Sequence, residues 1–147
     1  MLNRTMGLAD RLVIITSIML VCSCVAINHK EDLILEYVNK VKGDISIENI
    51  IDEYHPTARN DESAYFELKN ILEQRRSYLN TTGDAQIIIK KVKRSSDHTL
   101  LKGLEESNQV YLIYLDEIEF IPVLIEDSKI ASTILMSKGS KKYFLKL

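Results

Sequence analysis

The chain has 147 residues, of which 46% are hydrophobic and 27% charged, and its net charge at pH 7 is −2. This length predicts one domain, and the balanced net charge argues against nucleic acid or an anionic surface as a partner. The two cysteines are Cys22 and Cys24, so no disulfide can form in the part of the chain that follows them.

The N-terminal segment has the layout of a signal peptide. Arg4 and Arg11 precede an uncharged run over residues 12–27. A basic end followed by a short apolar segment is typical of an export signal. The run is shorter than the roughly 20 residues that a membrane-spanning helix needs. We therefore predict a signal peptide over residues 1–23.

Residues 21–24 read VCSC and resemble the lipobox of bacterial lipoproteins, in which an aliphatic and a small residue precede a cysteine that becomes lipidated. Ser23 is the small residue, Cys24 is the predicted lipidation site, and Cys22 is the alternative. The resemblance implies attachment to a membrane through acyl chains, in the bacterial cell envelope on its periplasmic or surface side. Residues 24–30 are then a tether, followed by a single domain over 31–147.

Three other interpretations of the leader stay open. A retained transmembrane anchor requires a tilted helix or a thinned bilayer. Plain secretion would follow from cleavage near Ala26. A buried core helix in a cytosolic protein is disfavoured, because basic residues flank a charge-free run at the N-terminus.

Apolar side chains then repeat at helical spacing in three segments. The predicted helices run, in chain order, from Glu31 to Lys42, from Ser46 to Pro56, and from Asn60 or Asp61 to about Asn80. Ser46 is an expected N-cap residue, Pro56 removes the helical option, and Gly83 follows the last helix.

From Asp84 onward β-branched and aromatic residues predict strands. The predicted strands are 85–93, 109–115, 118–125, 130–136 and 142–147. Short connections indicate an antiparallel meander for the last four, and Pro122 is expected at an edge or a bulge. The fold class is therefore α+β, with N-terminal helices packed on a curved four- to five-stranded antiparallel meander.

Alternation within the second strand places apolar side chains on both faces of the sheet. Val110, Leu112 and Tyr114 share one face, and Tyr111, Ile113 and Leu115 share the other. One helical layer covers only one face. We therefore expect the sheet to curl around the long helix, and its outer face to be buried by a partner, most simply a second copy in a homodimer.

The leading helices, followed by a strand pair reading KIASTILMSKGSKKYFLKL, are similar to the NTF2-like and cystatin-like proteins over about residues 30–147. The resemblance implies a cone in which a bent sheet wraps a helix. NTF2-like domains usually place a hairpin before the third helix, and residues 55–60 are too few for one. No catalytic residue is carried over by this resemblance.

Asp52, Glu53, Tyr54 and His55 form the densest polar cluster, where a carboxylate can orient an imidazole for general-base chemistry. The candidates for ligand binding are Tyr54, His55, Tyr65, Tyr111, Tyr114 and Phe120. Tyr65, Tyr111, Tyr114 and Phe120 would line a pocket for an apolar or sugar-like ligand. The spacings of His29, His55 and His98 predict no metal site, and no motif predicts a cofactor.

The basic run Lys90, Lys91, Lys93 and Arg94 is interpreted as protection of a strand edge. Taken together, these patterns favour a membrane-anchored, non-enzymatic binding module. One alternative is a small NTF2-like pocket enzyme, such as an isomerase, dehydratase or hydrolase. Another is an inhibitor or immunity-type protein that presents a hairpin at Asp116 and Glu117.

Overall fold

The computed structural model describes residues 29–104 and 109–146. Helix α1 is described over residues 29–42, and it is followed by α2 (Ile47–Tyr54) and α3 (Glu62–Thr81). Short 3-10 helices cover Pro56–Asn60, Ser95–Asp97 and Thr99–Leu101. The predicted signal peptide and Cys24 lie outside the described residues, whereas residues 29 and 30 of the predicted tether are already helical.

Side-chain caps fix where α2 and α3 begin, as the sequence predicts. Ser46 Oγ accepts a hydrogen bond from the Asn49 amide at 3.2 Å. Asp61 Oδ1 accepts from the amides of Ser63 and Ala64 at 3.0 and 3.1 Å. Each cap satisfies backbone donors that the first turn of a helix leaves without a partner.

In the described part of the chain, six strands follow the helices. They are β1 (Ile87–Lys91), β2 (Val110–Leu115), β3 (Ile118–Glu126), β4 (Lys129–Ser132), β5 (Leu135–Lys138) and β6 (Lys141–Phe144). Strands β1 to β4 form an antiparallel sheet in chain order, and β5 and β6 form a separate two-stranded sheet. The protein is therefore α+β, with three helices packed against an antiparallel sheet of four strands.

The predicted strand 130–136 is in fact two strands that belong to different sheets. The backbone leaves the first sheet at Thr133 and Ile134, between β4 and β5. There the Ser132 hydroxyl accepts from the Ile134 amide at 3.1 Å and donates to the Leu145 carbonyl. A serine side chain that satisfies local backbone groups competes with strand pairing, which explains the break.

Pro122 lies in β3, which pairs with β2 along its length and with β4 only from Leu124 onward. Pro122 is opposite Leu112, and the β2–β3 register shifts between Ile113 and Tyr114. A second shift occurs in β3 between Leu124 and Ile125. The proline therefore lies where β3 has no β4 neighbour, between two irregularities of the kind that its missing N–H favours.

The two faces of the sheet are covered by different parts of the chain. Tyr111, Ile113 and Leu115 pack with the helices in one core. Val110 and Leu112 belong to a second core, on the other face. The remaining second-core residues include Val92, Leu100, Leu101, Leu104, Leu124, Leu135 and Phe144.

The outer face of the sheet was expected to need a partner to bury it, but in the structure other parts of the same chain bury it. The 3-10 segments after β1 and the β5–β6 hairpin cover that face from within the same chain. Apolar area already removed from water provides no further hydrophobic drive for association there. A homodimer stays a prediction, but the sheet does not require one.

Candidate functional site

The candidate site is built around the C-terminal end of α2. Proline has no backbone N–H, and Pro56 opens a 3-10 turn in place of continued α-helix. The His55 amide still donates to the Ile51 carbonyl at 2.7 Å, although the His55 φ of −139° has left the helical region. This change of direction turns the His55 side chain into the protein and leaves Tyr54 beside a surface cleft.

His55 is 2% exposed, and among the residues that the structure describes its buried Nε2 atom has no hydrogen-bond partner. Burial lowers the pKa of His55 to about 4, and the positive charge of Arg75 contributes in the same direction. Its imidazole is therefore neutral at physiological pH. A neutral, fully enclosed ring is poorly placed to exchange protons with a bound molecule.

A polar network crosses the core near His55. The Tyr37 hydroxyl and Thr133 Oγ1 are 3.2 Å apart. Arg75 of α3 donates to Thr133 Oγ1 at 2.7 Å and to the Thr133 carbonyl at 2.5 Å. These bonds connect α1 and α3 to the backbone break between β4 and β5. Pairing of this kind offsets the cost of burying polar groups.

Tyr54 forms one wall of the cleft. Its ring meets the Tyr37 ring edge-on, with centroids 5.0 Å apart, and Lys40 Nζ lies 5.3 Å from the Tyr54 centroid. Burial raises the pKa of Tyr54, and its hydroxyl makes no hydrogen bond within the described residues. Lys40 also pairs with Glu36 at 2.8 Å and with Glu53 at 2.5 Å. The aromatic wall is thus flanked by charged groups.

The cleft has a volume of about 560 Å³ and lies between the helices and the β3–β4 turn. Its lining residues are Leu33, Glu36, Glu53, Tyr54, Pro56, Thr57, Glu126, Asp127, Ser128, Lys129, Ile130 and Ala131. Four carboxylates and one ammonium group therefore surround an apolar surface. Glu126 pairs with Lys146 at 2.7 Å, whereas Asp127 has no ion-pair partner within residues 29–104 and 109–146.

The β3–β4 turn at the rim has an unfavourable backbone. Asp127 and Ser128 have φ values of 47° and 61°. Two residues in the left-handed region match the twist of a tight hairpin, but this conformation is strained for residues other than glycine. Strained non-glycine turns cluster at functional sites, so the turn supports this cleft as the candidate site.

Asp52 and His55 do not form the predicted carboxylate–imidazole pair. Asp52 accepts two hydrogen bonds from the Arg59 guanidinium on the exposed surface, one of them at 2.8 Å. This pairing lowers the pKa of Asp52. The carboxylate therefore points away from the buried ring, and general-base chemistry through this pair has no geometric support.

The remaining aromatic candidates do not line the cleft: Tyr65, Tyr111 and Phe120 pack on the helix-side core, and Tyr114 packs on the opposite one. Arg59 lies 5.3 Å from the Tyr65 ring, and Tyr111 belongs to the helix-side core. Tyr114 packs with the opposite core, and Phe120 stacks on Tyr78 with centroids 5.0 Å apart. None of these four rings lines the cleft beside Tyr54.

A second polar cluster on the outer side of the sheet was not predicted. His98 Nδ1 lies 3.0 Å from the Tyr114 hydroxyl and 3.1 Å from Glu119 Oε1. The Leu100 amide donates to the other Glu119 oxygen at 2.8 Å. The tight β2–β3 turn would have indicated that Tyr114 and Glu119 are neighbours, but no spacing in the sequence locates His98.

In the part of the chain that the structure describes, no three His, Cys, Asp or Glu side chains are grouped as metal ligands would be. Within those same residues, no helix is both long and apolar enough to cross a bilayer. Comparison with known proteins gave no matching family, no matching curated protein and no matching solved structure.

Proposed function

We propose that this protein is a lipid-anchored, non-enzymatic binding module of the bacterial cell envelope, attached through Cys24. We further propose that its cleft binds an extended, basic peptide segment of a partner protein. The leader with its lipobox-like VCSC supports the anchor. The carrying observation for the ligand is an acidic cleft that runs beside an edge strand.

Strand β4 supplies the backbone for such binding. It lies at the end of the strand order and pairs with β3 on one side only within the described residues. Ile130 and Ala131 of β4 line the cleft. A strand with an unpaired edge can accept an extended peptide through main-chain hydrogen bonds.

The charges around the cleft specify the peptide. Glu36, Glu53, Glu126 and Asp127 surround the apolar surface, and Lys129 is the one cation among the lining residues. Lysine side chains outside the lining pair with the three glutamates, so Asp127 is the lining carboxylate without an ion pair within the described residues. In an extended peptide, lysine or arginine side chains that alternate with apolar ones would pair with the carboxylates around the cleft and pack on its apolar surface. The Tyr54 ring, which Lys40 approaches at 5.3 Å, adds apolar contact area to the cleft wall.

The finer architecture is also a proposal. We place the domain near the NTF2-like and cystatin-like cones, because helices pack on one face of an antiparallel sheet. The 3-10 turn Pro56–Asn60 stands where an NTF2-like domain usually has a hairpin.

The test uses the full chain in detergent micelles and two blocked five-residue probes, one of alternating lysine and valine and one of alternating glutamate and valine. Amide chemical-shift changes at β4 and at Tyr54 are expected with the lysine probe only. A lysine probe with N-methylated backbone amides should bind less tightly, because it lacks the donors for strand addition.

The double variant Glu53→Gln and Asp127→Asn should weaken binding of the lysine probe by about fivefold, as expected for two partly screened charges. The matched control, Glu62→Gln and Asp84→Asn, removes two exposed charges away from the cleft. Equal shifts with both probes, or equal weakening in both variants, would contradict the proposed ligand.

A further inference from the structure

A basic cluster lies at the same end of the molecule as the start of α1. Glu31 is close enough to Tyr111 to raise its pKa, although burial is the larger cause. At the other end of α1, Lys42 donates to the Gly83 carbonyl at 2.8 Å, shortly before β1. Helix α1 therefore begins at the sheet end where β2 starts and β1 finishes.

The basic residues occupy this same end. Lys91 is paired in register with Tyr111, and the Val92 amide donates to the Val110 carbonyl at 2.9 Å. Lys93 and Arg94 follow directly, and Lys91, Lys93 and Arg94 are all exposed. None of the three has an ion-pair partner within the described residues.

Protection of a strand edge does not explain the whole cluster. Strand β1 is an edge strand, and Lys91 is its last residue. A lysine there discourages pairing with another chain. Lys93 and Arg94 lie beyond the end of the strand, where no ladder needs protection. At the same end of the sheet lie Glu31 and Asp32 at the start of α1 and Asp97 in the following turn. The antiparallel register also places the β3–β4 turn, with Glu126 and Asp127, at this end, two strands or about 10 Å from the end of β1.

The distance to the membrane follows from the tether. Four residues lie between Cys24 and residue 29, which is already helical, and at about 3.5 Å per step the five Cα-to-Cα steps span at most about 18 Å. Charges in physiological salt act over a Debye length of about 8 Å. A domain on so short a tether repeatedly brings this end to the bilayer surface.

We propose that Lys91, Lys93 and Arg94 form a docking surface for the anionic headgroups of the bilayer that holds the acylated Cys24. This docking rests on the lipid anchor of the proposed function. The occupant is a lipid surface because the anchor would deliver one there, and because the three exposed cations at the β1 corner, two strands away from the acidic β3–β4 turn, complement its charge. Contact at this end would fix how the domain stands on the membrane.

The test uses the acylated full chain, with its mass verified, in vesicles of phosphatidylcholine alone or with about one third phosphatidylglycerol. A dye is placed by Ser96→Cys beside the cluster, or by Glu117→Cys in the turn at the opposite end of β2. Quenching by headgroup-labelled lipid should rise about twofold with the anionic lipid at the first position only.

The rise should disappear in about 0.5 M salt, where the Debye length is about 4 Å. It should also disappear in the variant Lys93→Glu and Arg94→Glu, but not in Lys102→Glu and Lys138→Glu, which changes the charge equally. If anionic lipid does not change the quenching, or if both variants lose the rise equally, the docking surface alone is overturned. A chain whose mass carries no acyl groups overturns the anchor and the docking surface together.

Discussion

His55 is a buried ionisable side chain at the end of a helix. Because burial shifts its pKa, the stability of the protein depends on pH. Its pKa falls from 6.5 to about 4 in the folded state, mainly through burial. Between these pH values the unfolded chain binds a proton that the folded chain does not. The free energy of unfolding therefore decreases as pH falls. Stability is complete above the higher value and is lost as pH drops through the lower one.

We expect this linkage to remove about 3 kcal/mol of unfolding free energy in wild type between neutral pH and pH values below the folded pKa. The variant His55→Gln keeps a polar side chain but cannot titrate. Urea unfolding at neutral and acid pH measures both proteins, and the carboxylates they share cancel in the comparison. A variant whose stability falls as steeply as that of wild type would show that His55 is not the cause.

Thr133 is the shared partner of Tyr37 and Arg75, and it is fully buried. Thr133→Val keeps the shape but removes the hydroxyl, which leaves the Tyr37 hydroxyl without its partner. The expected loss of unfolding free energy is about 1 to 3 kcal/mol. Thr57→Val, at an exposed position, is the control and should change little.

A double-mutant cycle separates this contact from a simple packing effect. Adding Tyr37→Phe to Thr133→Val should cost less than the sum of the two single losses, by about 1 kcal/mol, because the second change removes an already orphaned group. Strictly additive losses would mean that the 3.2 Å approach of the two hydroxyls contributes nothing.

At the scale of elements, the 3-10 segment after β1 fits closely against the β5–β6 hairpin. The Lys142 amide donates to the Gly103 carbonyl at 2.8 Å, and Lys142 Nζ donates to the Leu100 carbonyl at 2.7 Å. Gly103 has a φ of 89°, and a Cβ there would lie 2.2 Å from the Ser140 carbonyl oxygen. Only glycine fits this contact.

Gly103→Ala is therefore expected to destabilise the protein by about 3 kcal/mol, through backbone strain and a clash that the hairpin must relieve. Gly139→Ala provides the control, because its φ of 63° carries similar strain but its Cβ would meet nothing within 4 Å. That control should lose about 1 kcal/mol. Thermal unfolding compares the two, and similar losses would contradict the close packing of segment on hairpin.

The helices were predictable because each carries a periodic apolar stripe, and because Ser46 is a recognisable cap for α2. Ser46 caps α2 as expected, and the structure selects Asp61 from the two predicted starts of α3 by making it the cap. The role of Arg76 was not predictable from helix rules, which explain a cation near a C-terminus through the dipole alone. In the structure Arg76 donates to the carbonyls of Val41 and Ile45, and so fastens the connection between α1 and α2.

The strands were predictable as segments but not as sheets. β-branched residues mark 130–136 as extended, yet nothing in that composition shows that Ser132 would break the pairing. Likewise, the apolar residues of 95–104 follow neither a helical nor a strand period. The sequence therefore does not indicate that this segment packs on the outer face of the sheet.

On the scale of the whole molecule, the sequence correctly predicts apolar side chains on both faces of the sheet. It does not predict which part of the chain covers the outer face. Tyr111 and Tyr114 face opposite cores, as alternation requires, but the chain itself supplies both covers. The candidate site was predictable only in part: Tyr54 and His55 follow from the helix end, whereas the cleft depends on the β3–β4 turn, which is remote in sequence.

The central claim is that this domain is delivered to the envelope and anchored there through Cys24. Intact mass, with metabolic palmitate labelling of wild type and Cys24→Ala, tests it most directly. We predict a wild-type chain that begins at Cys24 and carries acyl groups, and a variant without label. A product that still begins at Met1 and carries no palmitate would contradict the account, and label retained on the variant would move the anchor to Cys22.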